Sequence, residues 1–203
     1  MIAKIAAAVS EWLVAQGAVT DKDKKLFAYA VYSFLFGMMP IFIIVILGLI
    51  FNMVLEGLLL ITPFMLLRKF SGGYHLKSSI VCTITSTSLL LFSLLAVRIV
   101  SISSATNILS IIVVLSCITL FLLSPIDSDA RRLSAKERKV FRLIARIITC
   151  IFLLFYFSLL LFGQIDIATP IGIGMIIPAI LQLPCLIQRV LLKVQIVRQN
   201  KHE

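Results

Sequence analysis

The sequence predicts an all-α polytopic membrane protein with about six transmembrane helices behind an N-terminal amphipathic interfacial helix. Three observations predict it. The 203 residues are 61% hydrophobic and only 14% charged, with a mean hydropathy of +1.12. A soluble domain holds about half apolar and about a quarter charged residues, so an ordinary globular protein is excluded. The apolar residues also fall into six runs. A spanning helix needs about 20 residues, so six use about 120 of the chain and leave no room for a separate soluble domain. Finally, the basic residues alternate between loops in the way a membrane topology requires.

Residues 2–16 repeat Ile2, Ile5, Val9, Trp12 and Leu13 at helical spacing among Lys4, Glu11 and Gln16. The stretch is too short to span but suits a helix lying along the interface, with Trp12 at headgroup depth. No cleavable signal peptide is expected, because Glu11, Asp21 and Asp23 interrupt the first 25 residues. The chain therefore divides into an amphipathic segment 1–25, a transmembrane bundle 26–187 and a basic tail 188–203, all within one membrane domain.

The six runs cover about 26–51, 53–67, 79–97, 106–124, 143–163 and 167–187. The second is the weakest, with Glu56 near one end and Pro63 near the other. Arg68 and Lys69 can snorkel to extend it into a short tilted span, and a re-entrant loop is the competing reading. The last run holds Pro170, Pro178 and Pro184, which predict kinks, and carries Gln182 in its second half.

Six spans place Lys4, Lys22, Lys24, Lys25, Arg68, Lys69, Lys77 and the basic residues of 131–146 and 189–201 on one side. Arg98 alone falls on the other. The positive-inside rule makes the crowded side cytoplasmic, with both termini inside; a five-span arrangement would split these clusters. The net charge of +10 then reads as topology signal and lipid-headgroup contact with the bilayer, not as a nucleic-acid surface.

Little in the chain carries chemistry. There are two histidines, and His202 is next to the end. No metal site is expected, and no cofactor; H-E-x-x-H and G-x-S-x-G are both absent. The segment Asp127-Ser128-Asp129-Ala130-Arg131-Arg132 lacks the spacing of a lipid-headgroup transferase motif. The four cysteines stand singly in or beside apolar runs and are expected as free thiols.

What remains lies between the second and third runs, from Arg68 through Gly72, Gly73, His75 and Lys77 to Cys82. A cysteine nucleophile needs a base and surroundings that favour thiolate. His75 is the one available imidazole. Cys82 falls in the first turns of the third span if Ser78 or Ser79 caps that helix, where the helix dipole favours the anion. Arg68, Lys69 and Lys77 add positive charge.

Positions 75 and 82 are separated by about 10.5 Å of rise in a continuous helix, too far for a hydrogen bond. His75 must therefore fold back, and Gly72-Gly73 permits such a turn and exposes backbone N–H groups to an oxyanion. The bland alternatives stand beside this: a cysteine at a helix start often only packs, and an interfacial histidine often only meets headgroups. Ser78 and Ser79 read as caps. Thr83, Thr85, Ser86, Thr87 and Ser88 read as helix-packing residues, or else as substrate lining. Glu56 is placed for an ion or proton site or for simple solvation. Cys117, Cys150 and Cys185 read as buried apolar residues.

The pattern Arg68-x4-Gly73-Tyr74-His75-x6-Cys82 resembles the signature of the accessory gene regulator protein B (AgrB) family. The chain length, the six runs, the amphipathic start and the Pro-x-Asp stretch within 124–134 are similar in layout, although Ala130-Arg131-Arg132 departs from the Asn-Arg-Pro of many members. The resemblance implies a bacterial inner-membrane cysteine endopeptidase. Its catalytic pair would be His75 and Cys82, with Arg68 and Gly73 as further motif positions. It also implies a short Cys-containing propeptide (AgrD-like) as substrate, a quorum-sensing role, a thiolactone product and a homodimer. Gly72, Gly73, Arg68 and Lys77 are the expected substrate and oxyanion supports. A small six-span transporter and a non-catalytic membrane scaffold are the alternatives; the transporter predicts an internal repeat and midplane charges, neither of which is evident.

Overall fold

In the computed structural model, residues 2–72, 79–103, 105–126 and 134–199 are described. Among them are seven helices: α1 (Ile2–Ala15), α2 (Lys24–Phe51), α3 (Val54–Ser71), α4 (Ser79–Ser103), α5 (Thr106–Leu123), α6 (Ala135–Leu161) and α7 (Ile165–Gln199). The protein is an all-α, multi-pass membrane protein. Five helices (α2, α4, α5, α6 and α7) are long and apolar enough to cross a bilayer. The chain forms two compact units, residues 1–43 and 44–203.

In the first unit, α1 is the short amphipathic helix expected from the Ile2-to-Leu13 periodicity. It leaves Trp12 exposed and buries Ala6 and Ser10. An exposed ion pair joins Lys24 Nζ to Glu11 at 3.2 Å, a contact of little energetic weight at a solvated surface.

The second unit is organised around α7, which touches α3, α4, α5 and α6. Small residues explain how other helices come so close. A Cβ on Gly174 would collide with the Leu60 carbonyl of α3, and one on Gly172 would lie 2.8 Å from the Tyr156 ring of α6. Without a hydrophobic driving force in lipid, such close backbone approach is what holds helices together. α7 runs unbroken as a helix through Pro170, Pro178 and Pro184 and continues past the apolar run as far as Gln199.

α3 is one continuous helix through Pro63. Its weak hydropathy has a packing cause. Gly57, Leu60, Ile61, Phe64, Leu67 and Ser71 are buried along one face against neighbouring helices, so less of its surface has to satisfy lipid. Asn52, at φ +54, makes the tight turn between α2 and α3. α6 begins at Ala135, well before the apolar run, because Ser134 and Glu137 form a reciprocal capping box.

Candidate functional site

The candidate site is built where α3 ends, α4 begins and α5 gives way to residues 124–126. Cys82 is half-buried in the first turn of α4. Arg68 is half-buried in the last turn of α3. Its Nη1 donates to the Gly72 carbonyl at 3.4 Å, and its guanidinium lies within electrostatic reach of the Cys185 and Cys82 sulfurs. The structure thus joins Arg68 to Gly72 at the end of α3 and places Cys82 near the start of α4. Gly73, His75 and Lys77 lie outside the described residues, as do Ser78 as a cap and the 127–133 segment.

Gly72 terminates α3 at φ +72, ψ −159, a region that is essentially restricted to glycine. Its place is fixed by a neighbour. Gly72 pairs with Ile126 in an isolated parallel bridge, and a Cβ at Gly72 would overlap the Ile126 carbonyl oxygen. The Ile126 N–H donates to the Ser71 carbonyl at 3.0 Å. Residues 124–126 therefore supply the donor that the end of α3 lacks.

Three residues missed by the sequence reading complete this end of the unit. Gln182 of α7 donates from Nε2 to the Ser71 carbonyl at 3.0 Å and to Ser124 Oγ at 2.9 Å. Ser71, Ser124 and Gln182 are all buried. The available signal was Gln182 itself, a lone amide in an apolar run, where a polar side chain faces a partner more often than lipid. Cys185 is buried as expected and lies one turn from Gln182, whereas Cys150 is exposed on α6 and Cys117 is buried. The basic character continues across this end: Arg146 of α6 donates to the Phe121 carbonyl at 3.3 Å and stacks 4.4 Å over the Phe121 ring. Among the described residues, no three His, Cys, Asp or Glu side chains converge as a metal site.

The family Accessory gene regulator B matches residues 4–185, almost the whole chain. This protein belongs to the AgrB family. A protein named only as AgrB-like from Clostridium perfringens strain 13 is 34% identical over 84 residues, which are 41% of this chain and 39% of that relative. A second, from C. perfringens strain SM101, is 33% identical over 84 residues, with the same coverage of both chains. The matched segment thus spans well under half the length of these relatives. No solved structure matches the chain. In this AgrB-family chain, Cys82 stands near the start of α4, and Arg68 donates to the carbonyl of the Gly72 turn that ends α3.

Proposed function

We propose that this AgrB-family protein is a membrane-embedded cysteine endopeptidase that cleaves a short, Cys-containing quorum-sensing propeptide toward its C-terminal side. The observation that carries the reading is the setting of Cys82. It lies in the first turn of α4, where the helix dipole favours an anion, with the Arg68 guanidinium within electrostatic reach. Thiolate is the reactive species of a cysteine nucleophile.

In this reading the Cys82 thiolate attacks the scissile carbonyl, and His75 carries the thiol proton to the leaving amine. A thioester to the N-terminal part of the propeptide forms, and the C-terminal fragment departs. Backbone N–H groups near Gly72 and Gly73 stabilise the oxyanion, and Arg68 or Lys77 holds an acidic part of the substrate. The propeptide's own cysteine then attacks the thioester. One thioester replaces another, so the exchange is nearly balanced, and ring closure is favoured by effective concentration. The thiolactone leaves and the Cys82 thiol is restored, with no water consumed. The site and both termini face the cytoplasm, the side with 18 of the 19 Lys and Arg residues when Arg98 is set apart, and the protein acts as a homodimer.

The test is co-expression with a short Cys-containing peptide encoded beside the gene. Mass spectrometry should find a Cys82 adduct and a product one water lighter than the linear acid. Cys82→Ser should stop cleavage, and His75→Ala should slow it by about a hundredfold, the usual scale for a lost general base. Unimpaired cleavage by Cys82→Ser would return the protein to a transporter or scaffold.

A further inference from the structure

Arg146 takes no part in the steps above. It lies about one turn inside the apolar run that begins near residue 143, and a charge at that depth needs partners. The structure gives it two, both from one residue of α5. Arg146 Nε donates to the Phe121 carbonyl at 3.3 Å, and the guanidinium carbon lies 4.4 Å from the centre of the Phe121 ring. The sequence explains why that carbonyl accepts. Phe121 is in the last turn of α5, and the residue four places on is Pro125, which has no N–H to offer. Arg146 supplies the missing donor. The contact fixes the guanidinium but does not neutralise it, since neither a carbonyl nor a ring carries a net charge.

The surroundings offer no counter-ion either. From Ala135 to Arg146, α6 carries Lys136, Arg138, Lys139, Arg142 and Arg146 against one acid, Glu137. That carboxylate closes the capping box on the Ser134 N–H at 2.9 Å. α5 has no charged residue. Of the other helices that touch α6, α3 has its acid, Glu56, in its first turn and α7 has Asp166 in its first turn, both at the far end from Ser71 and Gln182. Asp127 and Asp129 lie outside the described residues. Among the described residues, Lys139, Arg142 and Arg146 form no ion pair.

Helical spacing puts these three on one stripe, at i, i+3 and i+7. Lys139 and Arg142 are exposed. The stripe covers about 10.5 Å along the helix axis, from the polar start of α6 into its apolar run. Leu143 and Ile147 are exposed on the same turns, and Phe121 is exposed beside Arg146. A water-soluble anion would match the charge but not the apolar neighbours, and a neutral lipid would match the reverse. An anionic amphiphile matches both.

We propose that this face of α5 and α6 is a binding site for an anionic phospholipid: Lys139, Arg142 and Arg146 receive its phosphate, while Phe121, Leu143 and Ile147 meet the first methylenes of its acyl chains. The site does not depend on the peptidase reading.

The test is native mass spectrometry of the purified full-length protein in detergent, titrated with phosphatidylglycerol or with phosphatidylcholine of the same chains. The protein should prefer phosphatidylglycerol by about a hundredfold, if each of three basic residues is worth about fivefold at an anionic headgroup. Lys139→Gln/Arg142→Gln changes two exposed positions and leaves the Arg146 contact with Phe121 in place. It should cut the preference by about twenty-five-fold. Lys22→Gln/Lys25→Gln removes the same charge elsewhere and should leave the tightest adduct unchanged. Equal losses in the two variants would reveal a general charge effect and overturn the site, as would no preference in the unmodified protein. Displacement of the lipid by inorganic phosphate at the same concentration would make the ligand a bare anion, against the proposal. An undiminished lipid preference in Lys139→Gln/Arg142→Gln, with propeptide cleavage lost, would assign the face to an acidic peptide instead.

Discussion

Two buried polar clusters in the second unit look alike in composition and differ in what they tie. Around Gln182, an amide reaches from α7 to a main-chain carbonyl at the end of α3 and to the residue that ends α5. Around Tyr156, a phenol of α6 meets Ser110 of α5 at 2.9 Å, inside two helices that already satisfy their own backbones. The first cluster determines where non-helical chain goes. The second can only adjust how two finished helices pack. Polar atoms inside a membrane protein thus serve conformation where helices end, and packing where they do not.

The largest effect should come from Gly72→Ala. An alanine held at φ +72, ψ −159 would carry about 1–3 kcal/mol of backbone strain, and its Cβ would overlap the Ile126 carbonyl. The bridge to Ile126 should open and Arg68 should lose its anchor. We expect propeptide cleavage to fall by about a hundredfold or more, a barrier increase of about 2.7 kcal/mol, with the protein still present in the membrane. Cleavage at the normal rate would mean that the α3 end has no special standing over the Tyr156 cluster.

Next comes Gly174→Ala, which tests packing alone. The added methyl must push α7 away from the Leu60 carbonyl and Pro63 ring of α3. Overpacking of this kind costs about 1–3 kcal/mol. Thermal unfolding in detergent should show the loss, while propeptide cleavage by the surviving folded fraction should stay unchanged. Slower cleavage would show that the two regions are coupled through α7 and are not independent.

The same contrast explains what could be read in advance. Helices α2, α4, α5, α6 and α7 announce themselves as apolar runs, since lipid-facing positions must be hydrophobic. α3 reads weakly because its Gly57-to-Leu67 face meets protein instead. The start of α6 was missed by several residues because a capping box in polar sequence, not hydropathy, sets it. Of the candidate site, Arg68 and Cys82 stand out through one short motif and Gly72 through the Gly72-Gly73 pair. The contacts of Ser71, Ser124 and Gln182 do not, because they join positions 58 and 111 residues apart. Gln182 stands out locally as a lone amide in an apolar run, but nothing local names its partners.

The smallest effect, and the one with the most informative sign, concerns Ser110 and Tyr156. Ser110 Oγ has one proton and donates it to the Thr106 carbonyl at 2.8 Å. In the 2.9 Å contact, therefore, Tyr156 must be the donor. Tyr156→Phe leaves Ser110 still donating and costs it only one accepted bond. Ser110→Ala instead strands a phenolic O–H at a fully buried position, and an unmet buried donor costs about 1–3 kcal/mol. Interhelical hydrogen bonds in membrane proteins average only about 0.6 kcal/mol, so Tyr156→Phe should lower stability by about that amount. Ser110→Ala should cost more than Tyr156→Phe, and adding Tyr156→Phe to Ser110→Ala should recover part of the loss, a coupling that a double-mutant cycle reads directly. Purely additive losses would mean that the pair is not a hydrogen bond of consequence. Cleavage should be unchanged in all three variants, since neither side chain touches a segment whose path the pair determines.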